Sequence, residues 1–260
     1  MVWAESVKKL YRMLLPPVFW LGVWQLAAFL VELSVEGRGN ELLLPYPGSV
    51  ARSLLRLSGD ISFWQTVAAS LGRILAGMAT GVLAGTLLAV LICSSHWCDR
   101  LLSPAIRVIR ATPVASFILL ILLWTSRNAV PAIISALMVL PVVWANLEKG
   151  IRSTDPKLLE FARVYRFSKV KTARLIYLPS LRPYFSAALT TSMGLAWKSG
   201  AAAEVLSLPK QAIGTQIYNS KLYLEIPDLF AWTAVVVALS MLLEHILTYA
   251  MKRWNGGACV

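Results

Sequence analysis

Residues Glu160–Pro179 read EFARVYRFSKVKTARLIYLP. Arg163, Arg166, Lys169, Lys171 and Arg174 crowd into this stretch, yet apolar residues are spaced through it at helical intervals. Leu158, Phe161, Ala162 and Tyr165 fall at i, i+3, i+4 and i+7, which lays an apolar stripe along one helix. Asp155-Pro156 supplies a start, with Asp as N-cap and Pro at the first helical position. A second helical stretch, about Ser168 to Leu178, is expected to end at Pro179. Two short helices with an apolar stripe and basic flanks suit either an anionic lipid surface or a docked partner.

The chain around this segment is greasy. Of its 260 residues 57% are hydrophobic and only 15% are charged, where a soluble domain has roughly 45–50% and about 25%. A water-soluble fold would expose too much apolar surface at that composition. The net charge of +12 raises nucleic acid as a partner. The charges cluster between apolar runs instead, as they do in the cytoplasmic loops of membrane proteins, so no nucleic-acid partner is expected.

Runs of about twenty apolar residues mark membrane helices, and six are expected. They are Leu14 to Leu33, opened by Pro16-Pro17; Val67 to Cys93; Ile106 to Trp124; Ala129 to Leu147, with Pro131 and Pro141 inside; Pro183 to Leu206; and Leu229 to Met251. The first, behind a charged N-terminus, reads as a retained signal-anchor. A polar connector with Gly37, Gly39, Pro45, Pro47 and Gly48 follows it, and Ser49 to Leu57 reads as a short interfacial helix. With both termini inside, Lys8, Lys9, Arg12, Arg100, Arg107, Arg110, the nine basic residues from Lys149 to Arg182, Lys252 and Arg253 all face the cytoplasm. Arg38, Arg52, Arg56, Arg127, Lys210 and Lys221 face out. The bias sets an N-in/C-in orientation and puts the opening segment in the cytoplasm, between the fourth and fifth helices.

The expected spans have internal chemistry. Gly77, Gly81 and Gly85 with Ala89 form a small-residue ridge for close helix packing, and Arg73 lies one step before it. The fifth span is full of Ala, Ser, Thr and Gly and carries Lys198 and Glu204. Ionisable residues inside spans are candidates for a transport pathway, and Lys198, Glu204 and Arg73 are the three here. Structural partners are the competing reading: backbone carbonyls or a carboxylate for Arg73, another helix for Lys198, the outer interface for Glu204. Lys198 and Glu204 stand about 120° apart around the helix and are not expected to pair. Cys93, His96 and Cys98 make a poor zinc set. There is no Gly-x4-Gly-Lys-Ser/Thr loop for ATP, no cofactor motif and no catalytic group of residues, so an enzyme is not expected.

Spacing separates the two readings of the basic segment. Glu160, Ala162, Ile176, Leu178 and Pro179 match, without insertion, the signature Glu-Ala-Ala, three residues, Gly, nine residues, Ile-x-Leu-Pro. In this the chain resembles the binding-protein-dependent ABC importer permeases. LPYPGSV, SLGRILAG, RATPVASFILLILLW, GLAWKSGAAAE and IGTQIY resemble, in order, the nitrate/sulfonate/taurine-type subgroup.

The resemblance implies an all-α membrane protein of the type I importer permease fold. Residues 1–260 would form a single permease domain, with coupling helices in a loop at about 150–182. It implies a bacterial inner-membrane, multi-pass subunit and a small solute, such as nitrate, sulfonate, taurine, bicarbonate or an aromatic vitamin precursor. The implied partners are two copies of a cytoplasmic ATPase that hydrolyses the ATP, an extracytoplasmic solute-binding protein, a second permease copy, identical or related, and the lipid bilayer. Leu158, Leu159, Glu160, Phe161, Ala162, Tyr165 and Arg166 become the ATPase-docking residues. Two positions depart from the pattern. Phe161 replaces the second Ala, and Arg166 replaces the Gly that suits a positive-φ turn, where a non-Gly residue costs about 1 kcal/mol. Either the turn differs or Arg166 gains a contact. A membrane channel or scaffold with a lipid-binding basic loop is the alternative of a different class; such a loop requires basic residues but no fixed Glu160.

Overall fold

The computed structural model describes residues 2–34 and 42–254, with 2–14 by backbone alone. Gly37, Arg38 and Gly39, and the side chains of Lys8, Lys9 and Arg12, therefore lie outside the described residues. The helices are α1 (Val2–Ser34), α2 (Pro47–Ser58), α3 (Ile61–Ser94), α4 (His96–Ala111), α5 (Val114–Leu122), α6 (Val130–Arg152), α7 (Pro156–Val164), α8 (Lys169–Thr172), α9 (Leu178–Ser207), α10 (Ile213–Leu222) and α11 (Ile226–Trp254). No strand occurs among the described residues.

The chain divides into two compact units, residues 1–65 with 216–235 and residues 66–215 with 236–260. In the first, α1 runs straight through Pro16-Pro17 rather than starting at them, and its Val18, Phe19 and Trp20 point outward. Pro47 opens α2. The Arg56 guanidinium grips both carboxylate oxygens of Asp228 at 2.6 Å, while Trp24 faces Phe230 and Phe63 faces Trp232. Tyr46 donates its hydroxyl hydrogen to Glu32.

The second unit is built on backbone contact. A Cβ added at Gly77 would stand 2.2 Å from the Ala132 carbonyl oxygen, one at Gly81 2.6 Å from that of Ala136, and one at Gly85 2.7 Å from that of Leu140. The small-residue ridge of α3 therefore lies directly on the α6 backbone. Gly200 on α9 leaves room for the side chains of Ser135 and Ile74. An apolar cluster of Ile118, Ile121, Val130, Ile134, Met138 and Ala203 fills the space between α5, α6 and α9.

Four helices among the described residues, Leu15–Ser34, Ile61–Ser94, Val130–Arg152 and Ile226–Trp254, are long and apolar enough to cross a membrane. The expected third span, Ile106 to Trp124, is not one helix. It is divided between α4 and α5, which meet at 103° and together make a fifth candidate. The cause is Pro113: its ring disfavours helical geometry at the preceding residue, and Thr112 is extended at φ −78°, ψ 132°. The expected fifth span is present as α9, 30 residues long, but with its Ser and Thr residues, Lys198 and Glu204 it is not in that apolar set. Nor does Pro179 end a helix. α8 runs through a π-turn, Ala173–Tyr177, into α9, and Pro179 sits in the first turn of α9, where a missing N–H is tolerated.

Gly81→Ala is expected to cost about 1–3 kcal/mol through overpacking and to lower the melting temperature in detergent. Gly72→Ala, on the same helix with nothing within 4 Å, is expected to raise stability by up to about 1 kcal/mol through helix propensity. Equal melting shifts for the pair would refute the close-contact account.

Candidate functional site

The basic segment begins where α6 ends. Glu148 and Arg152 pair at 2.9 Å across one helical turn, and Arg152 also reaches Asp99 of α4 at 3.5 Å. After Ser153 and Thr154 the chain restarts as α7, with Asp155 Oδ1 accepting a hydrogen bond from the Lys157 N–H at 2.8 Å. Leu158, Phe161 and Tyr165 are exposed, as is Glu160, while Ala162 is 3% exposed. The apolar stripe read from the sequence therefore splits. Ala162 turns inward with half-buried Leu159, and the large side chains look out. The Phe161 and Tyr165 rings stack at 4.3 Å. Phe167 meets Phe161 edge-on, with the Lys171 ammonium 4.1 Å above the Phe167 ring.

Arg166 closes α7 with φ at +49°. The Phe167 N–H bonds the Ala162 carbonyl at 2.8 Å and the Arg166 N–H bonds that of Arg163 at 3.0 Å. This pair of bonds is the Schellman closure. The positive-φ turn is thus kept although its Gly is absent. Ser168 then caps α8 by accepting from the Lys171 N–H. A cavity of about 320 Å3 lies within the turn, against Leu159, Ala162, Arg163, Arg166, Phe167 and Thr172.

The three ionisable residues of the spans occupy two settings. Glu204 is fully buried. Its Oε2 accepts from the Ser70 hydroxyl at 2.9 Å and the Gly214 N–H at 3.1 Å, and its Oε1 faces the Arg73 guanidinium at 3.5 Å. Arg73 also donates to the Lys210 carbonyl at 2.9 Å and to that of Gln211. Ser70 accepts from the Ile213 N–H, and Asn128 from the Lys210 N–H. The group clamps residues 208–214, including Leu208 and Gln211, both at positive φ. Gly214 is required for the fit: an added Cβ would sit 2.4 Å from Glu204 Cβ. Lys198 is different. It is exposed on α9 and makes no hydrogen bond or ion pair among the described residues. Thr191 and Ala202 are exposed on the same face.

Three features here were not anticipated from the sequence. Glu148 and Arg152 stand at i, i+4, a readable signal, whereas Asp99 is distant in sequence. Glu244 on α11 rests its carboxylate where a Gly194 side chain would be, with Ser240 within 3.4 Å. Asn146, a polar residue inside an apolar run, lines a cavity between α4, α6 and α9.

Residues 77–256 match the family of binding-protein-dependent transport system inner membrane components. The chain belongs to this family. It is 30% identical, over 97% of its own length and 96% of the relative's, to the Escherichia coli K12 protein named as an aliphatic sulfonates transport permease, SsuC. It is 26% identical, over 86% of its length and 78% of the relative's, to the bicarbonate transport system permease protein CmpB of Synechococcus elongatus. Its fold matches a chain of a bacterial ABC transporter involved in import of the acidic polysaccharide alginate. The TM-score is 0.64 at 17% identity, covering 97% of this chain and 99% of that one. The protein is accordingly a permease subunit of an ABC importer and a multi-pass protein of the inner membrane.

Glu204→Ala is expected to cost about 3–5 kcal/mol, because it strands the Arg73 charge and two hydrogen-bond donors. Glu204→Gln, which keeps an acceptor for Ser70 and Gly214, should cost less. Unfolding in graded denaturing detergent reads the order of the two, and equal losses would refute the ion-pair contribution. Arg166→Gly is expected to stabilise α7 by about 1 kcal/mol; an unchanged or lower melting temperature would show that the Arg166 side chain compensates for its backbone strain.

Proposed function

We propose that the chain, residues 1–260 acting as one permease domain, forms half of a translocation pathway for a small anion. A second permease copy, the same chain or a related one, would supply the other half. An external solute-binding protein would deliver the anion, and two copies of a cytoplasmic ATPase would drive the cycle by hydrolysing ATP. Six spans with both termini in the cytoplasm place the basic segment beside the ATPases. The anion assignment follows the sulfonate and bicarbonate relatives.

The observation that carries the docking assignment is the outward set on α7. Leu158, Phe161 and Tyr165 are large apolar side chains left uncovered, Glu160 stands among them without an ion pair among the described residues, and Arg163 and Arg166 line the adjoining cavity. A lipid surface would be met by the basic flanks and the apolar side chains together and gives no part to Glu160. Leu159 and Ala162 support the face from below, Ala162 by being small enough for the turn to close. Lys198 is assigned to the pathway because a cation on a spanning helix requires a wet or paired environment and this one has no partner among the described residues. Arg73 and Glu204 contribute from behind that surface by holding loop 208–214.

Glu160→Arg and Ala162→Asp are expected to lower co-purification of the ATPase at least tenfold and to abolish ATP-driven uptake. Lys198→Ala should keep the assembly and lose most of the uptake. Full assembly and uptake in the two α7 variants would refute docking, and full uptake in Lys198→Ala would remove it from the pathway.

A further inference from the structure

Two opposite charges stand unpaired on neighbouring helices of the second unit. Lys198 on α9 is exposed and makes no hydrogen bond or ion pair among the described residues. Glu244 on α11 is half-buried. Its one hydrogen bond among those residues comes from the Ser240 hydroxyl, which donates to Oε1 at a long 3.4 Å, and Oε2 accepts none. Each charge sits well inside its helix. Lys198 is nine residues before the end of α9 at Ser207, and Glu244 ten before the end of α11 at Trp254, or about 13–15 Å at 1.5 Å per residue. Ionisable groups at such depth are costly alone, and they pair with one another or border a pathway.

The two are within reach of each other. Glu244 lays its carboxylate over Gly194: a Cβ there would stand 2.7 Å from Oε1, so Gly keeps the place open. Gly194 and Lys198 are i and i+4 on α9, neighbours on one face with Cβ positions about 5–6 Å apart. A long side chain on a helix leans back over the preceding turn, and for Lys198 that turn is the one holding Gly194. Its flexible four-carbon stem needs a rotamer change, and no backbone movement, to bring the ammonium to the free oxygen of Glu244. The structure shows the open arrangement, with Lys198 turned to the exposed face. A lone ammonium at this depth would hold an anion once it arrived. Passage requires binding favourable enough for entry and weak enough for exit. A carboxylate one turn away meets the second condition by taking the ammonium back.

We propose that Glu244 is a positioning residue for transport: its carboxylate pairs with the Lys198 ammonium when no anion is present and displaces the anion for release. This rests on the permease reading above, in which Lys198 borders the pathway. The test uses the complex of this chain with its ATPase. A carbodiimide joins a carboxylate to an amine in direct contact as an amide, with loss of water. It is expected to give a Lys198–Glu244 cross-linked peptide within one chain, read by mass spectrometry and absent in Glu244→Gln. In proteoliposomes with the binding protein, ATP-driven uptake of radiolabelled methanesulfonate and bicarbonate is expected to fall at least fivefold in Glu244→Gln and less in Glu244→Asp. Because Glu244 acts through Lys198, Glu244→Gln combined with Lys198→Ala should be no slower than Lys198→Ala alone, whereas a merely structural role would add the two losses. Co-purification of the ATPase verifies the folding of each variant. No Lys198–Glu244 cross-link, or Glu244 joined instead to another chain in a band of dimer mass, overturns the pair. Wild-type uptake by Glu244→Gln, or additive losses in the double variant, overturns the role in release. No uptake of either anion by the wild-type complex overturns the small-anion reading and the release role with it, while the cross-link still decides the pair.

Discussion

The contact of the α3 backbone with the α6 backbone governs the second unit. In hydrocarbon there is no hydrophobic gain from bringing two apolar helices together, so association depends on close van der Waals approach. Gly77, Gly81 and Gly85 permit that approach over two turns, and Gly200 extends it to α9. With α6 fixed on both sides, the elements that depend on it acquire defined positions: the α5 cluster through Ile134 and Met138, the walls of the polar cavity through Val142 and Asn146, and α7 through the short connection after Arg152.

Polar chemistry is handled in two ways along the same bundle. Around Glu204 the carboxylate meets Ser70, the Gly214 N–H and the Arg73 guanidinium within the chain, and the result is a clamp on residues 208–214 that holds two non-Gly residues at positive φ. At Lys198, Arg110 and Thr191 the opposite holds, and charges or hydroxyls make no hydrogen bond or ion pair among the described residues. A buried ion pair behaves as structure. An unsatisfied one at membrane depth calls for an occupant or a partner. The sequence alone placed Glu204, Arg73 and Lys198 in one class; burial separates them.

Much of the architecture was legible. The helical stripe at Leu158, Phe161, Ala162 and Tyr165, the Asp155 cap and the glycine ridge all act through fixed local spacing, which a sequence displays directly. The positive φ at Arg166 was left open, because the Gly that suits such a turn is absent from the chain, and the structure keeps the turn. The break at Thr112–Pro113 was missed although two signals were in view, Pro113 itself and the change from a stretch carrying Arg107 and Arg110 to the wholly apolar Val114–Leu122. The persistence of helix through Pro179 was missed for the converse reason, since the effect of a proline depends on whether its N–H position was needed. The Arg73–Ser70–Glu204 clamp and the cavity that Arg110, Asn146 and Thr191 line between α4, α6 and α9 join residues from distant segments, and no periodicity reports such meetings.

The π-turn between α8 and α9 has a mechanical consequence. From Lys169 to Ser207 the backbone never leaves helical geometry, so the basic segment and the long helix behind it form a single strut, about 45 Å of it in α9 at 1.5 Å per residue. Bending along it is confined to the π-turn and to Pro179 and Pro183, where the regular ladder of helical hydrogen bonds is interrupted. At the α8 end the strut meets the closed turn around Arg166, and at the far end it meets residues 208–212, which Arg73 and Asn128 anchor. A load on the basic segment therefore passes into a helix whose far end is pinned and whose give lies near its start.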